Sequence, residues 1–114
     1  MENEEFWQKL DQLVAGSPVN VDRPKGTAHP RYPSFVYALD YGYLENTRSG
    51  DGGGIDVWVG GLPEKDATAI ICTVDLEKRD SEMKILLGCT TQETQAILNV
   101  HNRGPQAALL VERQ

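Results

Sequence analysis

Between Arg48 and Val59 the chain reads Arg-Ser-Gly-Asp-Gly-Gly-Gly-Ile-Asp-Val-Trp-Val, with three consecutive glycines between two aspartates and an apolar strand directly after them. Glycine loses more backbone entropy on folding than any other residue. Three in a row therefore weaken a fold unless the segment turns tightly or its backbone approaches something closely. Beyond the glycines, Ile55, Val57 and Val59 alternate onto one face of a strand and leave Asp56 and Trp58 on the other. Two aspartates on such a turn, Asp51 and Asp56, can converge on a hard cation, which prefers oxygen ligands. The same residues also fit an ordinary Asp-Gly turn with Asp56 in water. A nucleotide-type phosphate loop is excluded, because no Gly-Lys-Ser/Thr follows.

The rest of the chain supplies short strands with a helix near each end. Asn3 is placed to cap a helix whose apolar face is Phe6, Leu10, Leu13 and Val14, stopped by Gly16 and Pro18. Strands are predicted at Val19 to Asp22, Phe35 to Leu39, Ile55 to Val59, Ala69 to Val74, Met83 to Leu87 and Ala107 to Val111. Ala69 to Val74 and Met83 to Leu87 flank a charged turn and read as a hairpin. Thr90-Thr-Gln-Glu93 is a capping box opening a helix with Ala96, Ile97 and Val100 inward, ended by Gly104-Pro105. The pattern predicts α+β architecture with a mostly antiparallel sheet or small barrel. At 114 residues it is one domain, 1–114, with a single sizeable core.

Charge and composition narrow the function classes. A net charge of −6 disfavours nucleic acid as a partner, since binding a phosphate backbone normally takes a basic surface. No apolar run is long enough to span a membrane, and the acidic N-terminal residues do not resemble a secretory signal, so a cytoplasmic protein is expected. Cys72 and Cys89 lack metal-ligand spacing and read as reduced core thiols, although their places about the hairpin allow them to face each other.

Three further groups of polar residues stand out. A Pro- and Gly-bounded loop carries Lys25 and Arg31, which can present charge to an anion or simply be solvated. Tyr37, Tyr41 and Tyr43 fall within seven residues, with hydroxyls able to donate to phosphate or to rest in water. The hairpin adds Asp75, Glu77, Asp80, Glu82 and Lys84, relevant to a site only if it faces the glycine turn. His29 and His101 have no evident nucleophilic partner, and the charge of His101 suits a helix C-terminus.

The order of these pieces resembles the family I, Mg²⁺-dependent soluble inorganic pyrophosphatases. Pro24-Lys25-Gly26 and Arg31-Tyr32 resemble that family's Pro-Lys-Gly and Lys-Tyr. Tyr37-Ala-Leu-Asp-Tyr-Gly-Tyr-Leu-Glu-Asn-Thr47 resembles its Tyr-Pro-x-Asn/Asp-Tyr-Gly-Phe/Tyr-Ile-x-x-Thr, and Asp51 to Val57 falls where it carries Asp-Gly-Asp-Pro-hydrophobic-Asp-Val. Asp75, Asp80 and Lys84 loosely resemble its later Asp…Asp-x-Lys loop. The likeness spans roughly residues 19 to 88.

The resemblance implies a five-stranded, mostly antiparallel OB-like barrel with an N-terminal and a C-terminal helix. It implies Mg²⁺ or Mn²⁺ held by Asp51, Asp56, Asp75 and Asp80. It further implies phosphate gripped by Lys25, Arg31 and Tyr37, and catalysis by Tyr41, Asp56 and Lys84 on a small phosphate-containing molecule. A homo-oligomer is expected too, with Trp7, Trp58 and the last strand as apolar surface and sheet edge. Gly53 and Gly54 depart from the family pattern. They stand at its middle aspartate, which helps deprotonate the attacking water, and at its proline. The family's hairpin before the tyrosine segment, with its arginine, is nearly absent, and its late Tyr-Lys has no counterpart. Two readings follow: a reduced metal-dependent phosphoanhydride hydrolase, or a non-catalytic relative binding a phosphate-bearing ligand or a protein partner.

Overall fold

The computed structural model describes residues 3–113. Its elements in chain order are α1 (Glu4–Ala15), β1 (Val19–Arg23), β2 (Asp40–Leu44), β3 (Ile55–Val59), β4 (Ala67–Asp75), β5 (Asp80–Leu87), α2 (Thr91–Val100) and β6 (Gln106–Glu112). The strands form one six-stranded sheet in the order β1-β2-β3-β5-β4-β6. Every neighbouring pair is antiparallel except β3 with β5. The α+β class is as expected, but the five-stranded barrel is not formed. β6 pairs along β4 from Ala69 to Asp75, whereas β1 pairs only with β2, so β1 and β6 remain two edges of an open sheet.

The second predicted strand also moves. Phe35 to Leu39 is apolar enough to read as a strand, yet the ladder begins at Asp40, where Tyr41 pairs with Trp58 and Gly42 with Val57. Residues 35–39 instead close a small loop against the segment before it, through a single bridge between Ala28 and Val36. Their rings and Leu39 go into the core rather than onto a pleated face.

Alternation along the strands divides the core in two. Val57, Ile70 and Ile85 pack on one side with Trp7, Leu10 and Leu44. Their neighbours in sequence, Trp58, Ile71 and Leu86, pack on the other with Tyr37, Leu39 and Ile97. Helix α1 therefore covers one face and α2 the other, as strand geometry requires when both faces are apolar. Cys72 packs with the first cluster and Cys89 belongs to the second, so the two thiols are free and on opposite faces. Burial pushes the Cys89 thiol up to about 12, which leaves it protonated and inert.

Helix α1 presents a different stripe from the expected one. Trp7 and Leu10 are buried and Val14 packs beside them, while Phe6 and Leu13 remain largely exposed. Trp7 and Leu10 pack on Leu44, Val57, Ile70 and Ile85 of the sheet. At the edge of this contact Arg113 sits over the Trp7 ring, 5.6 Å from its centroid, and makes a paired salt bridge to Asp11 at 2.6 and 2.7 Å. Asn3 adopts a left-handed conformation (φ 63°) and its side chain caps nothing. The second helix behaves as expected: Thr90 Oγ1 accepts from the Glu93 amide at 3.2 Å, and Glu93 Oε1 accepts from the Thr90 amide at 2.8 Å.

Trp7 and Trp58 are both core residues, so neither is an interface residue; the β6 edge remains open, with Leu109 65% exposed. Among the described residues, no helix is long and apolar enough to cross a membrane. Because Trp7 is buried and Phe6 is 43% exposed, their truncations separate cleanly. Trp7→Ala should lower unfolding free energy by about 3–5 kcal/mol, and Phe6→Ala by about 1 kcal/mol or less. Urea denaturation of the two variants checks the assignment of the buried face.

Candidate active site

The glycine turn is now legible residue by residue. The Ser49 amide donates to the Gly53 carbonyl at 2.7 Å, and the Gly52 amide to the Ser49 carbonyl at 3.0 Å. Gly52 takes a left-handed φ of +88°, a conformation that disfavours any side chain. At Gly54 a Cβ would lie 2.7 Å from the Tyr43 ring and 2.8 Å from the Leu44 carbonyl oxygen, so close packing against β2 demands glycine. Gly53 is under neither constraint. It lies outside the left-handed region, and the nearest atom to an added Cβ is the movable Asp51 Oδ1 at 3.3 Å. Asp51 itself is exposed and accepts from the Ser49 hydroxyl at 2.6 Å and the Gly53 amide at 2.9 Å. The Ser49 hydroxyl, then the Gly53 amide, holds its carboxyl below the usual carboxylate range.

Five residues further on, the parallel pairing of β3 with β5 sets Asp56 beside Lys84. The Lys84 ammonium is buried, with 6% of the residue exposed, and donates three hydrogen bonds. These run to the Tyr41 hydroxyl at 2.8 Å, Asp56 Oδ2 at 3.1 Å and Glu82 Oε2 at 3.2 Å. Burial alone would lower its pKa, but Tyr41 and the two carboxylates more than offset this and hold it above the ordinary lysine value. Burial likewise pushes the Tyr41 phenol up, so it stays protonated. Glu82 was not singled out from the hairpin's charges. The available signal was alternation, since a residue two before Lys84 on one strand shares its face.

Two adjoining clefts flank this cluster. One, of about 430 Å³, is lined by Asp51, Asp56, Asp80 and Glu82 along with the turn backbone. The other, of about 360 Å³, is lined by Tyr37, Tyr41, Trp58, Asp75 and Lys84 among others. Asp80 and Glu82 line both. Lys25 and Arg31 line neither: the Lys25 amide is tied to Asp40 Oδ1 at 2.8 Å and the Arg31 amide to His29 Nδ1 at 3.0 Å.

Asp75 is committed to its own turn, accepting from the amides of Glu77 at 2.9 Å and Lys78 at 3.0 Å. The Lys78 amide is the larger reason its carboxyl sits below the usual range. The hard oxygen donors of the first cleft suit Mg²⁺ or Mn²⁺ in kind. Among the described residues, however, no three His, Cys, Asp or Glu side chains are gathered closely enough to form a cage. Mg²⁺ ordinarily needs no cage, because one or two carboxylates and the phosphate oxygens of its ligand suffice.

Behind the aromatic cleft runs a buried polar chain that the sequence did not reveal. The Trp58 indole donates to His101 Nε2 at 3.1 Å. Because an indole can only donate, His101 carries its proton on Nδ1 and donates to Gln106 Oε1 at 2.7 Å. Gln106 Nε2 in turn donates to Asp75 Oδ2 at 3.4 Å. His101 does follow α2 as its C-cap, but burial lowers its pKa to about 4, so it is neutral and supplies no charge to the helix end.

No protein-family model matches the chain, and no curated protein matches it in sequence. Solved structures do. A crystal structure of an inorganic pyrophosphatase from Neisseria gonorrhoeae aligns with a TM-score of 0.61 at 17% identity, over 80% of this chain and 77% of that one. The inorganic pyrophosphatase of Helicobacter pylori gives 0.59 at 11% identity, over 84% and 82%. That of Coxiella burnetii gives 0.54 at 15%, over 84% and 82%. At these identities the likeness is one of fold: this chain is built on the architecture of the inorganic pyrophosphatases.

The state of His101 is testable through pH. The unfolded chain takes up the histidine proton near 6.5 and the fold only near 4, so stability falls as pH drops through that window. Between pH 7 and pH 5 the loss should be on the order of 2 kcal/mol. His101→Gln keeps an acceptor and a donor without a titration, so its melting temperature should fall less over the same interval. Equal slopes would show that His101 does not titrate as placed.

Proposed function

We propose that this protein is a metal-dependent phosphoanhydride hydrolase of reduced activity, acting on a small phosphate compound presented with Mg²⁺ or Mn²⁺. The observation that carries this reading is the meeting of Asp51, Asp56, Asp80 and Glu82 on one cleft that adjoins the buried Lys84 ammonium. In it, one or two of the carboxylates Asp51, Asp56 and Asp80 would hold the cation together with the ligand's own oxygens. Such a cation, when bound there, would supply neutralisation of phosphate charge and a more acidic water. Lys84, kept charged by its three partners, stabilises negative charge growing on the phosphates. Tyr41 orients that ammonium by accepting from it through its hydroxyl oxygen. Tyr37 lines the neighbouring cleft, where its pKa is raised by burial, so its hydroxyl is a donor rather than a charge.

A second reading, binding without turnover, is favoured by one observation. Gly53 offers no proton acceptor at the turn, although nothing in the backbone or packing there requires glycine. The two readings part on phosphate release from pyrophosphate and from nucleotides, with Mg²⁺ and with Mn²⁺. Wild type should show slow release, Asp56→Asn should lose most of it, and Gly53→Asp should raise it at least tenfold, since a general base is worth about 10²–10⁴-fold. If neither wild type nor a folded Gly53→Asp variant releases phosphate with either ion, the hydrolase reading fails and binding stands. The open β6 edge with its exposed Leu109 supports self-association. Sedimentation at micromolar concentration should then show species heavier than the 12.6 kDa monomer.

A further inference from the structure

The loop that carries Lys25 and Arg31 also builds an aromatic wall. Its backbone is a small closed arm: the His29 amide donates to the Phe35 carbonyl at 2.8 Å, and the Phe35 amide to the Tyr32 carbonyl at 2.9 Å. His29 Nδ1 accepts the amides of Arg31 at 3.0 Å and Tyr32 at 3.3 Å, which fixes the tip. Burial, then the nearby cations Arg23, Lys78 and Arg31, lowers the His29 pKa, in keeping with an accepting neutral ring. What the arm turns toward the cleft is aromatic. His29, Tyr32 and Phe35 line its outer wall, and Tyr37, Tyr41 and Trp58 its floor. The rings brace one another, with His29 stacked on Tyr37 at 6.3 Å and 17°, and Phe35 edge-on to Tyr37 at 5.0 Å. Tyr32 is the outermost, 45% exposed and 5.1 Å from His29.

Pyrophosphate has no use for such a wall. It is a small, strongly hydrated anion, and aromatic surface replaces none of the hydrogen bonds it would lose. At about 360 Å³ the cleft lies in the range of sites for small organic ligands. Lys78 and Arg103 also line it, and neither has an ion-pair partner within 4.0 Å among the described residues. From there Lys84, Asp80 and Glu82 lead into the carboxylate cleft. A ligand that matches this sequence of surfaces has a flat aromatic end, a linker, and a phosphate chain.

We infer that the aromatic cleft is a base-binding subsite, and that the phosphoanhydride taken by this protein is a nucleoside diphosphate or triphosphate rather than free pyrophosphate. This rests on the hydrolase reading above and names its substrate class. The base stacks against Tyr32 and its neighbours, an interaction tolerant of base identity because every base has a π-face. Lys78 and Arg103 meet the first phosphate, and the terminal phosphate lies beside Lys84 and the carboxylates. In the reaction a water oxygen bonds to the terminal phosphorus and the bond from that phosphorus to the bridging oxygen breaks. Its electron pair stays on the departing nucleotide. One water proton remains with the released phosphate and the other passes to solvent.

The experiment compares ADP and pyrophosphate as substrates, with Mg²⁺, for wild type, Tyr32→Ala and Tyr32→Phe. Calorimetric binding of ADP with Ca²⁺ in place of Mg²⁺ is measured alongside. Tyr32 is exposed and outside the core clusters, so melting temperatures should be close to wild type. The expected result is kcat/KM for ADP above that for pyrophosphate, and a ratio of the two that falls about tenfold in Tyr32→Ala and is kept in Tyr32→Phe. Phosphate release from pyrophosphate with ADP neither cleaved nor bound would overturn the subsite and leave the hydrolase reading standing. So would an equal effect of Tyr32→Ala on both substrates. If neither compound is cleaved, ADP binding that weakens about tenfold in Tyr32→Ala upholds the subsite while hydrolysis falls. Absence of both cleavage and binding overturns both.

Discussion

A lysine ammonium buried in a sheet is the constraint on which this site depends. An unpaired ammonium at the position of Lys84 would be strongly destabilising, and only the three oxygens of Tyr41, Asp56 and Glu82 make it tolerable. Those oxygens come from three strands, β2, β3 and β5, so the cluster is satisfied in one register alone. A slip of β5 by one residue would turn Lys84 into the opposite core and bring Ile85 beside the carboxylates. The apolar faces of β3 and β5 and the partners of this one cation are satisfied in the same register.

The glycine turn shows how structure and chemistry divide a short motif. Gly52 is required by a backbone angle and Gly54 by contact with β2, and both serve the fold. Gly53 serves neither. An added Cβ there meets only the movable Asp51 carboxylate, so the turn leaves that position open to a side chain. The backbone of the turn is therefore separable from the choice of side chain at position 53.

Electrostatics and hydrophobicity are arranged on opposite sides of the same cation. Toward the glycine turn Lys84 meets carboxylates; toward β2 it meets a phenol that begins a run of rings through Tyr37, Trp58 and His101. The neutral His101 belongs to this apolar side. Held by the Trp58 indole and by Gln106, it connects the core to Asp75 without carrying charge into it.

Local signals were enough for much of the fold. The β4–β5 hairpin, the strand after the glycines, the capping box at Thr90 and the placing of Asp51 on the turn with Asp56 in the strand that follows it all rest on neighbours in sequence, and alternation or capping chemistry reveals them. Other features depend on partners far along the chain. The face of α1 that is buried packs on Leu44, Val57, Ile70 and Ile85, all far along the chain. Whether the sheet closed was decided by β6 choosing the edge of β4 over that of β1. Phe35 to Leu39 looked like a strand because apolar residues favour either a pleated face or a core loop, and only the aromatic cluster they joined separates the two. Lys25 and Arg31 stand out in the sequence by charge, and only the tertiary structure shows that they line neither cleft. The sequence by itself determined which residues had the chemistry: carboxylates, a lysine, tyrosines and a turn. Tertiary structure decided which of them meet, because a buried charge is stable only beside its partners, and those partners lie on strands that are adjacent in space and distant in the chain.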